Sequence, residues 1–89
     1  MLVETHISSL VVHLRPERQA EASALIAQLP GAEIHGASAD GKLVVVLETS
    51  SEGDILDHIK LINEMPGVIA TSMIYHEIET QAPEEATHA

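Results

Sequence analysis

Apolar and polar residues alternate along Ile7 to Leu14, ISSLVVHL. Ser8, Leu10, Val12 and Leu14 fall on one side and Ile7, Ser9, Val11 and His13 on the other. A period of two predicts a strand with one packed face and one mixed face. Pro16 suits a first helical turn, and Ala22, Leu25, Ile26 and Leu29 then recur at i, i+3, i+4 and i+7, the stripe of an amphipathic helix. Pro30 and Gly31 end it. A weak strand follows from Ala32 to Ala39, with Gly36 and small side chains that fit an edge. Asp40-Gly41 predicts a type I′ hairpin turn into Lys42 to Thr49, KLVVVLET, whose nearly continuous apolar run marks a central strand. Ser51 and Asp54 read as a helix cap before a second stripe of Ile55, Ile59, Ile62 and Met65. Pro66-Gly67 closes that helix, and a last strand runs from Val68 to His76.

The order βαββαβ, with short connections and right-handed crossovers, predicts an α+β domain. Its four-stranded antiparallel sheet has the order 4-1-3-2, with two helices on one face. Residues 1–79 form this single domain, and residues 80–89 are expected to be a disordered acidic tail without core-forming side chains. With Leu10, Val12, Leu43, Val45, Leu47, Ile69 and Met73 toward the helices, parity places Ser9, Val11, Val44, Val46, Ala70, Ser72 and Ile74 on the opposite face. Nothing in the pattern covers that face. A contiguous apolar patch of this kind is commonly an interaction site.

Charge narrows the partners. Four lysines and arginines against 14 acids give a formal net charge of −10, too few cations to release phosphate counterions from a nucleic acid. A single tyrosine, Tyr75, is the only aromatic residue, which excludes base stacking on the strands. An acidic protein favours basic partners, and Glu33, Glu48 and Glu77 lie near predicted strand ends, where they can steer such a partner. The chain has no cysteine, hence no disulfide framework and no thiolate nucleophile. The first residues, MLVETHISS, carry no basic segment ahead of the apolar run, and no stretch approaches the ~20 apolar residues of a membrane span. The expected location is the cytoplasm.

Candidate chemistry is sparse. His6, His35 and His76 are directed to one end of the sheet but match no compact ligand spacing, so no metal is expected. Ser8 and Ser9 lie in a strand without the tight turn that presents a nucleophile. Glu52, Asp54 and Asp57 mark a helix start, where carboxylates favour the macrodipole. Gly36, Gly41 and Gly53 do not form a phosphate loop. No catalytic residue is assigned, and no small-molecule substrate is expected.

Four segments together resemble a known family: Ser8-Ser9-Leu10-Val11-Val12, Leu29-Pro30-Gly31, Gly41 through Glu48, and Gly67-Val68 through Ser72, Tyr75 and His76. That family is NapD, the maturation chaperones of periplasmic nitrate reductase, and the similarity extends from about His6 to Glu77. The resemblance implies a ferredoxin-like fold and a non-enzymatic role in the cytoplasm. It implies binding of the twin-arginine signal peptide of the nitrate reductase catalytic subunit on the open sheet face, which delays export until cofactor insertion. The cofactor belongs to the partner, and none is expected here. The alternative is a small-molecule-sensing or oligomerising regulatory domain of the same topology, as in amino-acid-responsive regulators. An enzyme such as an acylphosphatase would need a glycine-containing anion loop after the first strand, where Arg15 and Arg18 meet Pro16 instead.

Overall fold

A computed structural model describes residues 3–81. In chain order it has β1 (Val3–Leu14), a 3-10 turn (Pro16–Arg18), α1 (Gln19–Ala27), β2 (Ala32–Ser38), β3 (Lys42–Thr49), α2 (Glu52–Asn63) and β4 (Val68–Gln81). The strands form one antiparallel sheet in the order β2-β3-β1-β4, the 4-1-3-2 arrangement read from the sequence. This is the ferredoxin-like βαββαβ topology.

One parity class of the sheet supplies the core. Leu10, Val12 and Leu14 from β1 and Leu43, Val45 and Leu47 from β3 are buried together with Ala22 and Ile26 of α1 and Ile55 and Ile62 of α2. Because all six strand residues share one face, both helices lie on that face. Leu29, Ile59 and Met65 complete the helix stripes at the core's margin. At the start of α2 the Ser51 hydroxyl accepts a hydrogen bond from the Asp54 amide at 3.1 Å, the cap expected from the sequence.

Two glycines tie loops to strands. Gly31 has φ 79°, and its carbonyl accepts the Glu48 amide at 2.8 Å. A Cβ at Gly31 would collide with the Glu48 carbonyl oxygen. Gly41, at φ 100°, closes the β2-β3 hairpin. That turn spans three residues rather than the expected two-residue type I′ turn, because Ser38 pairs with Lys42 and the Gly41 amide returns to the Ser38 carbonyl at 3.2 Å. A three-residue loop needs its left-handed residue at the third position, where the glycine stands.

The outer strand departs most from simple alternation. β4 carries register shifts against β1 between Ser9 and Leu10 and between His13 and Leu14, which leave Ile74 and Ile69 as unpaired extra residues. Ile69 is 69% exposed and Met73, although opposite Leu10, 49%; neither joins the core expected of it. β4 also continues past His76 to Gln81. Thr80 and Gln81, assigned to the tail from the sequence, pair with Glu4 and Val3. The rest of that tail, residues 82–89, lies outside the described residues.

Candidate functional site

The face opposite the helices is ordered in rows by the strand register. Val11 sits between Val44 and Ser72, and Ser9 between Val46 and Tyr75. Ile7 sits between Glu48 and Glu77, and His13 between Lys42 and Ala70. Glu33 lies beside Val46 from β2, and Glu79 beside Thr5 from β4. Antiparallel partners share a face, so the register brings together six of the seven residues assigned to the open face: Ser9, Val11, Val44, Val46, Ala70 and Ser72. Val11 and Val46 are half-buried by their neighbours, and Val44 is 38% exposed.

Ile74 is different. It is the extra residue of the bulge, 62% exposed, and Tyr75 takes the position opposite Ser9. Sequence alternation therefore missed Tyr75 as a neighbour of Ser9. It also left out Ile7 and Glu79, whose faces follow from pairings between residues about 70 positions apart. No local signal marks the bulge, since Val68 through Tyr75 are strand-compatible in either register.

The three acids assigned to steering fall at one end of this face. Glu48 and Glu77 flank Ile7, and Glu33 is one row away. The Tyr75 hydroxyl donates to Glu77 Oε1 at 2.8 Å, and that hydrogen bond to the carboxylate holds the phenol above its usual pKa near 10. His35 Nε2 is 2.9 Å from Glu33 Oε1, whereas Glu48 has no ion-pair partner among the described residues. A shallow cleft of about 370 Å³ opens here, lined by Gly31, Ala32, Glu33, Val46 and Glu48.

His6, His35 and His76, read from the sequence as directed to one end of the sheet, do not gather there. His6 and His76 do meet, with ring centroids 5.8 Å apart, but on the helix-side face of the sheet rather than on the open face. Ser8 Oγ and His76 Nδ1 share a hydrogen bond of 2.6 Å, and His6 Nε2 lies 3.1 Å from Glu4 Oε1. His35 is a bulge residue midway along β2, two strands from His6. Among the described residues no group of three or more histidine or acidic side chains is placed to hold an ion. Among the same residues no helix is long and apolar enough to cross a membrane.

Comparison with known proteins gives this surface a context. The family model described as NapD protein matches residues 5–80. The chain is 38% identical over 73 residues to Chaperone NapD of Paracoccus pantotrophus, an alignment covering 82% of this chain and 64% of that protein, just under two thirds of its length. It is 33% identical over 79 residues to Chaperone NapD of Escherichia coli strain K12, covering 88% of this chain and 91% of that one. The solution structure of the E. coli Tat proofreading chaperone protein NapD superimposes with a TM-score of 0.76 at 30% identity, over 96% of this chain and 88% of that one. A transcriptional regulatory protein of the AsnC family from Pyrococcus furiosus has a TM-score of 0.61 at 13% identity, over 91% of this chain and 55% of that one. The latter likeness shows the fold alone. With a family match across nearly all of the folded residues and named chaperones among its relatives, the chain belongs to the NapD family.

Proposed function

We propose that this protein is a cytoplasmic maturation chaperone. It binds the twin-arginine signal peptide of the catalytic subunit of periplasmic nitrate reductase and withholds it from export until the molybdenum cofactor has entered that subunit. The observation that carries the reading is the open sheet face: in a member of a chaperone family, aliphatic rows with acids at one end are left uncovered by the other described residues. A twin-arginine signal has the complementary composition, two adjacent arginines followed by an apolar segment. Ser9, Val11, Val44, Val46, Ala70 and Ser72 receive the apolar segment, while Glu33, Glu48 and Glu77 steer its basic end. The client supplies all cofactor chemistry; this chain supplies binding.

Magnitudes divide the roles. Covering ~300 to 400 Å² of nonpolar surface contributes on the order of 8 to 10 kcal/mol before association costs, whereas an exposed ion pair contributes about 0 to 1 kcal/mol. Most of the affinity therefore resides in the aliphatic rows, and the acids act chiefly on encounter and orientation while adding up to about 1 kcal/mol each. Calorimetry with a synthetic signal peptide tests this. Val44→Glu and Val46→Glu weaken binding, and replacing the peptide's apolar segment by serines abolishes it. Undiminished binding of the serine-substituted peptide would refute the sheet-face mechanism.

A further inference from the structure

The lysines and arginines of this chain are segregated along the strand direction. All four lysines and arginines lie at the end where β1 finishes: Arg15 follows β1, Arg18 belongs to the 3-10 turn, Lys42 opens β3, and Lys60 is in the last turn of α2. Acids share that end, among them Glu21, which pairs with Arg18 at 3.0 Å, and Asp40 in the β2-β3 turn. The opposite end has no lysine or arginine to offset its carboxylates. There Glu33, Glu48, Glu77 and Glu79 border the open face, and Glu52 and Asp54 begin α2. From the row of Ile7 to the row of His13 is six residues of strand, about 20 Å. The open face is thus acidic at one end, aliphatic through Val11, Val44 and Val46, and bordered by Lys42 and His13 at the other.

From this we infer that the sheet fixes the direction of its peptide: the paired arginines lie at the Ile7 end, one of them in the cleft lined by Gly31, Ala32, Glu33, Val46 and Glu48, and the apolar segment runs along β1 and β3 toward His13 and Lys42. The inference rests on the signal-peptide reading above and adds polarity and register to it. The cleft suits a guanidinium group, since it combines two carboxylates with the apolar wall of Val46 and has a volume of about 370 Å³. Glu48 is the stronger of the two carboxylates for this purpose, because Glu33 already lies against His35. The reverse orientation sets the arginines beside Lys42, at an end where Glu21 and Asp40 already offset Arg18 and Lys42, so it forgoes the attraction of Glu33 and Glu48 and meets a cation on the open face instead. A difference of this kind favours one arrangement over the other.

The absence of cysteine allows a direct test, because a spin label can be confined to the peptide. The probe is a synthetic peptide of two adjacent arginines followed by an apolar segment, labelled on a single cysteine either before the arginines or after the apolar segment. It is added to the ¹⁵N-labelled full chain. The first label is expected to broaden the amides of Ile7, Val46 and Glu48, and the second those of His13, Lys42 and Ala70. The reversed pattern, or both labels broadening both ends, overturns the direction while leaving the signal-peptide reading standing. If saturating peptide perturbs no open-face amide, the signal-peptide reading fails and takes the direction with it. As an independent readout, Glu33→Gln with Glu48→Gln should raise Kd about tenfold in about 50 mM salt while Lys42→Gln changes it less than about twofold. Equal effects from the two ends would also overturn the direction.

Discussion

Val44 and Val45 are adjacent in sequence and opposite in environment, which makes a pair of identical substitutions informative. Val45 is fully buried, between Leu10 of β1 and Ile34 of β2 on the helix side. Val44 is 38% exposed, between Val11 and Gly36 on the open face. Val45→Glu forfeits about 1.5 to 3 kcal/mol of apolar burial. It also forces a carboxyl group into a site without a partner, which raises its pKa by roughly 3 to 5 units, so the group folds mainly protonated and at pH 7 the ionisation term is limited to about 3.5 kcal/mol, the gap between its ordinary pKa of about 4.3 and the pH. The total, roughly 5 to 7 kcal/mol at neutral pH, is comparable with the whole stability expected of a domain this size, about 4 to 13 kcal/mol. Val44→Glu leaves its carboxylate in water and costs about 1 kcal/mol or less. Urea unfolding followed by far-UV circular dichroism should therefore find Val44→Glu folded and Val45→Glu largely unfolded at pH 7. The buried glutamate is stable in the core only when protonated, so its folded-state pKa is raised and the penalty in Val45→Glu shrinks as pH falls from 7 toward 5. A Val45→Glu protein within about 1 kcal/mol of the parent would refute the assignment of faces, and the reverse ranking of the two variants would invert it.

Three further outcomes follow from particular contacts. Gly31→Ala should cost about 2 kcal/mol or more in urea unfolding, since φ 79° and the approach of the Glu48 carbonyl both exclude a Cβ; an unchanged midpoint would count against the loop geometry. Ser8→Ala removes the partner of His76 Nδ1 between β1 and β4, and should lower stability by about 1 to 3 kcal/mol, a fall of several degrees or more in Tm; no fall would mean that water replaces the hydroxyl. Tyr75 is the only tyrosine and the chain has no tryptophan, so absorbance at the phenolate band reports one group. Its midpoint should lie above 10 in the folded protein and move down in Glu77→Gln, because the Glu77 carboxylate accepts from the neutral phenol; a midpoint indifferent to that substitution would deny the hydrogen bond.

What could be read in advance was whatever the core enforces. Leu10, Val12, Leu43, Val45 and Leu47 alternate because a slip of one residue would turn all of them into solvent, and the helix stripes at Ile55, Ile59 and Ile62 follow the same necessity. The edge strand is under no such constraint. Ile69 and Ile74 sit in bulges that the aliphatic run of β4 does not announce, and Tyr75 is rotated into the open row as a result. The ends of the sheet escaped for a related reason. Val3 to Thr5 and Glu79 to Gln81 form a two-stranded extension beyond β3, in which the strands pair only with each other. Their sequences are polar, so strand character there depends on a partner distant in the chain. Of the candidate site, the apolar centre was legible by parity and the three acids Glu33, Glu48 and Glu77 by their places near strand ends, whereas only register set Glu48 and Glu77 on either side of Ile7.

The likeness to an AsnC-family regulator at 13% identity shows that this fold forms from a very different sequence. What distinguishes the present chain must then lie in the rows that the core leaves free. Glu33, Glu48, Glu77 and Glu79 are gathered there without a lysine or arginine among them, and their mutual repulsion works against the folded state. Burial does not require it, since Glu33, Glu48 and Glu79 are exposed. A ligand bearing two positive charges removes the repulsion on binding, so the electrostatic cost carried by the free protein becomes part of the binding free energy. The same linkage makes the complex more stable to unfolding than the free chain. On the reading proposed above, an end of the open face with carboxylates and no lysine or arginine would confine that gain to ligands whose positive charges are adjacent, which would let a surface of modest area discriminate a paired-arginine sequence from an ordinary basic one.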